Sequence, residues 1–116
     1  MGLNKIFLVG NVGSIDVKTV GGNKVANFSL ATSERFKNKD GETTEKTTWH
    51  SVQVWGKTAE YMERYVTKGT LLFVEGKLEC RKYTDRNGDD RTVYEVRADG
   101  ITNLSPRQGE KPDMPF

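Results

Sequence analysis

The apolar residues of this chain come in short alternating runs separated by glycine-rich or charged punctuation, and the alternation assigns faces. In Thr47 to Trp55 the even positions hold His50, Val52 and Val54, while the odd positions hold Trp49, Ser51, Gln53 and Trp55. Successive strand side chains point to opposite faces, so both indoles share a side with serine and glutamine. Val25 to Thr32 alternates in the same way, with Phe28 and Leu30 opposite Asn27 and Ser29, after a turn at Gly21-Gly22-Asn23. Ile6 to Val9 is apolar without a break and is closed by Gly10-Asn11-Val12-Gly13. A strand apolar on both faces is covered on both, and in a chain this small a second subunit can supply the outer cover. Lys37 to Lys46, around Asp40-Gly41, reads as a long mobile hairpin loop.

Helical spacing occurs once. Lys57 to Lys68 places Ala59, Met62, Tyr65 and Val66 on one face, with Thr58 as the expected N-cap and Gly69 just past the end. Leu71 to Val74 and Leu78 to Tyr83 form a further strand that continues after Gly76, Asn87-Gly88 marks a hairpin, and Thr92 to Ala98 returns. Beyond Leu104 the pattern stops, and residues 105–116 are expected to form a short disordered tail. The order predicts an all-β chain: a five-stranded Greek-key barrel of the OB type over residues 1–104, with one helix between strands 3 and 4.

Composition narrows the function by exclusion. The 116 residues suit one domain, and 34% hydrophobic content is enough for one modest core. One cysteine, Cys80, and one histidine, His50, allow neither an internal disulfide nor a multi-ligand Cys/His metal site, which suits a reducing, cytoplasmic setting. Cys80 alternates with Glu79 and Arg81 and is expected to be a small core residue. His50, on the side of Val52 and Val54, is expected to be buried and hydrogen-bonded. The apolar N-terminal run is too short for a signal peptide or membrane span. No Ser/His/Asp or Cys/His arrangement is credible, so no enzyme and no cofactor is expected.

What remains is a set of aromatics in polar company. Tyr83 shares the charged face of its strand with Lys77, Glu79 and Arg81, and Phe36 lies beside Lys37 and Lys39. With Trp49 and Trp55, this makes four rings near cations. Base–aromatic stacking contributes roughly 1–3 kcal/mol per base and tolerates any sequence, because every base has a π-face. Lysines and arginines between the rings would neutralise phosphates. Single-stranded nucleic acid is therefore the favoured partner. An OB adaptor that works mainly through protein contacts is the second class left open.

The same residues resemble a known family. Asn4-Lys5-Ile6-Phe7-Leu8-Val9-Gly10-Asn11-Val12-Gly13, Val25-Ala26-Asn27-Phe28-Ser29-Leu30-Ala31-Thr32-Ser33, Trp49-His50, Trp55-Gly56-Lys57-Thr58-Ala59-Glu60, Tyr65-Val66-Thr67-Lys68-Gly69 and Val74-Glu75-Gly76-Lys77-Leu78 look, in that order, like the bacterial single-stranded DNA-binding proteins. The resemblance spans residues 3–104. It implies an OB fold, usually a homotetramer, that binds and protects single-stranded DNA without sequence preference in replication, recombination and repair. It also implies that Phe36, Trp49, Trp55 and Tyr83 are base-stacking positions. Lys57, Lys68, Arg81, Lys82 and Arg91 match basic positions along the DNA path, to which the sequence adds Lys37 and Lys39. His50, with the first strand through Ile6 and Leu8, matches a subunit interface. The sequence departs from the pattern in having Phe36 where tryptophan is common, Glu79 where a basic residue is frequent, and a short C-terminus. Its weakly acidic tip, Asp113-Met114-Pro115-Phe116, is the candidate docking segment for replication and repair partners, through Asp113, Pro115 and Phe116.

Overall fold

The computed structural model describes residues 1–105, so the tail positions Asp113, Pro115 and Phe116 lie outside the described residues. Five strands and one helix follow in the order β1 (Ile6–Val20), β2 (Asn23–Lys37), β3 (Thr43–Trp55), α1 (Lys57–Tyr65), β4 (Leu71–Thr84) and β5 (Asp90–Asn103). They close into a barrel with the strand order β1-β2-β3-β5-β4, and β4 returns to pair with β1. All neighbours are antiparallel except β3 and β5, whose parallel contact joins Val52 to Val96 and Gln53 to Arg97. This is the topology that the element order predicts.

The alternation placed the core correctly. Phe28, Leu30, Val52, Val54, Leu72, Val74 and Val96 are buried inside the barrel, and Ala59, Met62 and Val66 bring the helix side into the same cluster. At about 25 cal/mol per Å² of apolar area, each large side chain contributes roughly 1.5–3 kcal/mol.

Strand lengths differ from the expectation. β1 runs straight through Gly10 and Gly13 rather than ending there, because those glycines answer to neighbours and not to a turn. A Cβ at Gly10 would lie 2.2 Å from the Ala31 carbonyl oxygen, and one at Gly13 would lie 2.5 Å from the Trp49 ring. The expected long loop at Lys37 to Lys46 is instead a β2–β3 arm, paired from Val25–Trp55 out to Lys37–Thr43, with only residues 38–42 between the strands. The β4–β5 pairing likewise extends to Thr84–Asp90. Cys80 lies on that arm beyond the barrel core and is exposed, not a core residue. Leu78 on the same arm is exposed as well.

Two helix boundaries also move. The N-cap is Gly56, with φ 66° and no side-chain cap, not Thr58, which lies inside α1. The chain turns into the helix immediately after Trp55, and that turn needs a positive φ, which glycine adopts without strain. The helix stops at Tyr65 because Val66 is extended and buried, and Gly69 serves a later turn in which its N–H donates to the Val12 carbonyl at 2.8 Å. Tyr65 points outward rather than joining the core.

On β1, Ile6 and Leu8 turn toward the core, while Phe7 and Val9 project outward. The apolar surface this strand offers to another molecule is therefore carried by Phe7 and Val9, not by Ile6 and Leu8. The Phe7 ring stacks on Phe73 of β4 at 6.1 Å. His50 is half-buried, with Nε2 2.9 Å from the Thr32 hydroxyl.

Gly76 marks the register shift where β4 leaves β1 and follows β5 outward. A Cβ there would lie 2.2 Å from the Arg97 carbonyl oxygen. Gly76→Ala should lower stability by roughly 1–3 kcal/mol, whereas Gly2→Ala, with nothing within 4 Å, should leave it unchanged. Urea unfolding followed by circular dichroism checks both.

Candidate nucleic-acid interface

All four predicted rings are solvent-exposed: Trp49 by 61%, Phe36 by 48%, Tyr83 by 44% and Trp55 by 37%. Trp49, Trp55 and Tyr83 have the outward parity of their strands, whereas Phe36 has the parity of Phe28 and Leu30 and so lies on the other face of the β2–β3 ribbon, exposed because the arm has left the core. Trp49 and Trp55 lie on β3, opposite Ala31 and Val25 of β2. Phe36 sits at the far end of the β2–β3 arm, opposite Thr44, and Tyr83 at the far end of the β4–β5 arm, opposite Arg91.

The hollows between them share walls. One of about 370 Å³ lies beside Trp49 and is lined by Ser14, Asn27, Ser29 and Ser51. Asn27 also borders a second, of about 790 Å³, together with Gln53, Arg81, Lys82 and Glu95. Lys82 in turn borders a third, of about 360 Å³, with Tyr83 and Arg91. Asn27 and Lys82 thus join the three into a single track from Trp49 to Tyr83.

Two of the rings are held in place. The Trp55 indole N–H donates to Gln53 Oε1 at 2.9 Å, and the Gln53 amide N–H donates to Asn27 Oδ1 at 3.1 Å. The Arg97 guanidinium stands 5.9 Å from the Trp55 ring centroid. This positioning set was not legible in the sequence, because Arg97 reaches Trp55 only through the β3–β5 contact. The Trp49 ring rests on Gly13, where β1 shifts register between Val12 and Ile15 and the Ser14 N–H donates to Ser29 Oγ at 2.9 Å.

The electrostatics are more balanced than the cation count suggests. Arg81 pairs with Glu95 at 3.2 Å and stands 6.0 Å from the Tyr83 ring. Arg91 pairs with Asp85 at 2.8 Å. Lys37, Lys39, Lys57, Lys68 and Lys82 are exposed and in no ion pair among the described residues. Lys37 and Lys39 are near Phe36 in the chain, Lys82 borders both the second and third hollows, Lys57 follows Trp55 after Gly56, and Lys68 lies between α1 and β4 and lines none of these three hollows. The Arg91 guanidinium holds the Asp85 carboxyl below the usual carboxylate range, aided by N–H donation from Asp89 and Asn87. Both guanidiniums are exposed while their carboxylate partners are only partly so, and an incoming phosphate competes with an existing pair for either arginine. Flat exposed rings, amide and hydroxyl side chains and cations thus lie together on one surface.

Comparison with known proteins agrees. Residues 3–104 match the model of the "Single-strand binding protein family". The chain is 36% identical, over 118 positions covering 100% of it and 68% of the relative, to a single-stranded DNA-binding protein of Neisseria meningitidis. It is 42% identical, over 108 positions covering 91% of it and 66% of the relative, to one of Xylella fastidiosa. Among solved structures, the SSB of Plasmodium falciparum in complex with ssDNA superposes with a TM-score of 0.83 at 34% identity, over 90% of this chain and 97% of that one. The single-stranded DNA binding protein of Thermus aquaticus, as a deletion mutant, gives 0.77 at 32%, over 91% and 52%.

Gln53→Ala removes the acceptor that orients Trp55. It should weaken binding of a mixed-sequence single-stranded oligonucleotide by roughly fivefold, the worth of about 1 kcal/mol. Tryptophan anisotropy should fall while the melting temperature holds; fluorescence titration and thermal unfolding check the two arms. The Asp85 carboxyl should titrate below its model-peptide value by NMR and move up in Arg91→Ala. Since its folded value is depressed, its contribution to the hairpin tip is present above the ordinary aspartate range and is lost as pH falls through the folded value.

Proposed function

The chain belongs to the single-strand binding protein family, and from that premise we propose that it binds and protects single-stranded DNA without sequence preference, in replication, recombination and repair. It is a binding protein, not an enzyme. The observation that carries this reading is the track of adjoining hollows from Trp49 to Tyr83, with an exposed ring at each end and Lys82, Arg81 and Arg91 along it. Trp49, Trp55, Tyr83 and Phe36 stack bases. Lys37, Lys39, Lys57, Lys68 and Lys82 meet phosphates, and Arg81 and Arg91 do so on exchanging their carboxylate partners.

Assembly and recruitment belong to the same reading. The outward Phe7 and Val9, close to Phe73, and the half-buried His50 support a subunit interface, with a homotetramer as the assembly. The segment Asp113, Pro115 and Phe116 is the proposed docking tip for replication and repair proteins. No helix among the described residues is long and apolar enough to cross a membrane, and a cytoplasmic, nucleoid-associated location fits a DNA-binding role.

Trp55→Ala and Trp49→Ala should each weaken oligo-dT binding by roughly 1–3 kcal/mol without unfolding the barrel. Binding should quench tryptophan fluorescence similarly for mixed sequences, and log affinity should fall with log salt by about 0.7 per phosphate contacted. Titration at several salt concentrations, with mass measurement of the free and bound protein, checks both binding and assembly. Weak binding of poly-dT at physiological salt would overturn the reading.

A further inference from the structure

A second aromatic site adjoins Trp55 on the helix. Lys57, Tyr61 and Tyr65 recur every four residues and so share one stripe of α1. Ala59 and Met62 occupy the buried side. The Tyr61 and Tyr65 rings lie 5.0 Å apart and are tilted by 39°. Tyr61 is half-buried against the core, whereas Tyr65 is 55% exposed. Together with Lys24, Lys57, Glu60, Glu63 and Arg64 they line an open hollow of about 380 Å³. Lys24 is paired with Glu63, which leaves Lys57 and Arg64 facing the single carboxylate of Glu60.

The hollow begins where the Trp55 platform ends. Only Gly56 separates Trp55 from the helix, and its N–H donates to the Lys24 carbonyl at 2.8 Å. Lys24 in turn precedes Val25, the register partner of Trp55. Resting on the single-strand reading, we infer that this hollow is a further stacking site, which takes bases of the same DNA strand after it passes Trp55. The open face of Tyr65 stacks a base, and Lys57 and Arg64 meet the adjoining phosphates. From Lys57 to Tyr65 the helix rises about 12 Å, so the site extends the track by a few nucleotides. Two features favour a nucleic-acid strand over a protein segment as occupant: the surplus of free cations in the hollow, and its continuity with the Trp55 platform.

The test uses oligo-dT of increasing length, titrated by tryptophan quenching against the full chain and against Tyr65→Ala, Tyr65→Phe and Arg64→Ala, all at exposed positions. Tyr65→Ala should bind short oligomers as the unmodified protein does and lose roughly fivefold or more on long ones, the lower end of stacking on one aromatic. Tyr65→Phe keeps the ring and should restore binding. Arg64→Ala should make the salt slope shallower by about 0.7 on long oligomers only. Equal loss at every length, no loss at any length, or Tyr65→Phe behaving as Tyr65→Ala would overturn the inference. An unmodified chain that fails to bind oligo-dT at all would instead remove the single-strand reading, so the two failures are distinguishable.

Discussion

Two rungs of parallel ladder, Val52 beside Val96 and Gln53 beside Arg97, are what turn four antiparallel pairings into a barrel. Without that contact the sheet would open along β3 and β5, and Val52, Val54 and Val96 would lose their cover from one another. The same contact organises the binding surface. It brings Arg97 of β5 over the ring of Trp55, which belongs to β3, and it sets Gln53 where it can accept from that indole. Barrel closure and ring orientation therefore come from one piece of backbone pairing, and a surface of exposed aromatics inherits the rigidity of the core beneath it.

The sequence made some of this legible and hid the rest for definable reasons. A period of two is a local signal, so the outward faces of Trp49, Trp55 and Tyr83 and the inward faces of Val52 and Val54 could be read directly. Alternation says nothing about where the core ends, however. Leu78 and Cys80 keep the inward parity but sit on an arm that has run past the barrel, and they emerge into solvent. On β1 the apolar run identified a strand covered on both sides but not which residues pointed which way, and Phe7 and Val9 proved to be the outward pair. Gly10 and Gly13 looked like punctuation because the reason for them lies on other strands. Arg97 carried no signal, since its role depends on a pairing between residues distant in the chain. At Tyr65, helical spacing placed the ring near the core stripe, but it lies on the neighbouring Lys57–Tyr61–Tyr65 stripe of α1 and stays exposed.

Charge on this surface is arranged for exchange. Arg81 and Arg91, two of the cations nearest Tyr83, are engaged by Glu95 and Asp85 in the free protein. A polyanion must displace those carboxylates, so part of its attraction is offset by pairs already present. The formal net charge is only +2, and long-range steering is correspondingly modest. Exposed rings beside such balanced charge suit a partner whose bases are unpaired better than a duplex whose bases are hidden.

The contact between Gly13 and the Trp49 ring has a consequence for how this chain can change over generations. Position 13 has no positive φ and no turn to make; glycine fits there because the Trp49 indole and the Ser29 hydroxyl occupy the space a methyl group would take. Substitution at 13 and substitution at 49 are thus not independent. A larger residue at 13 meets both the indole at 49 and the Ser29 hydroxyl, 2.6 Å from where its Cβ would lie, so drift at a silent-looking backbone site is tied to both side chains that crowd it.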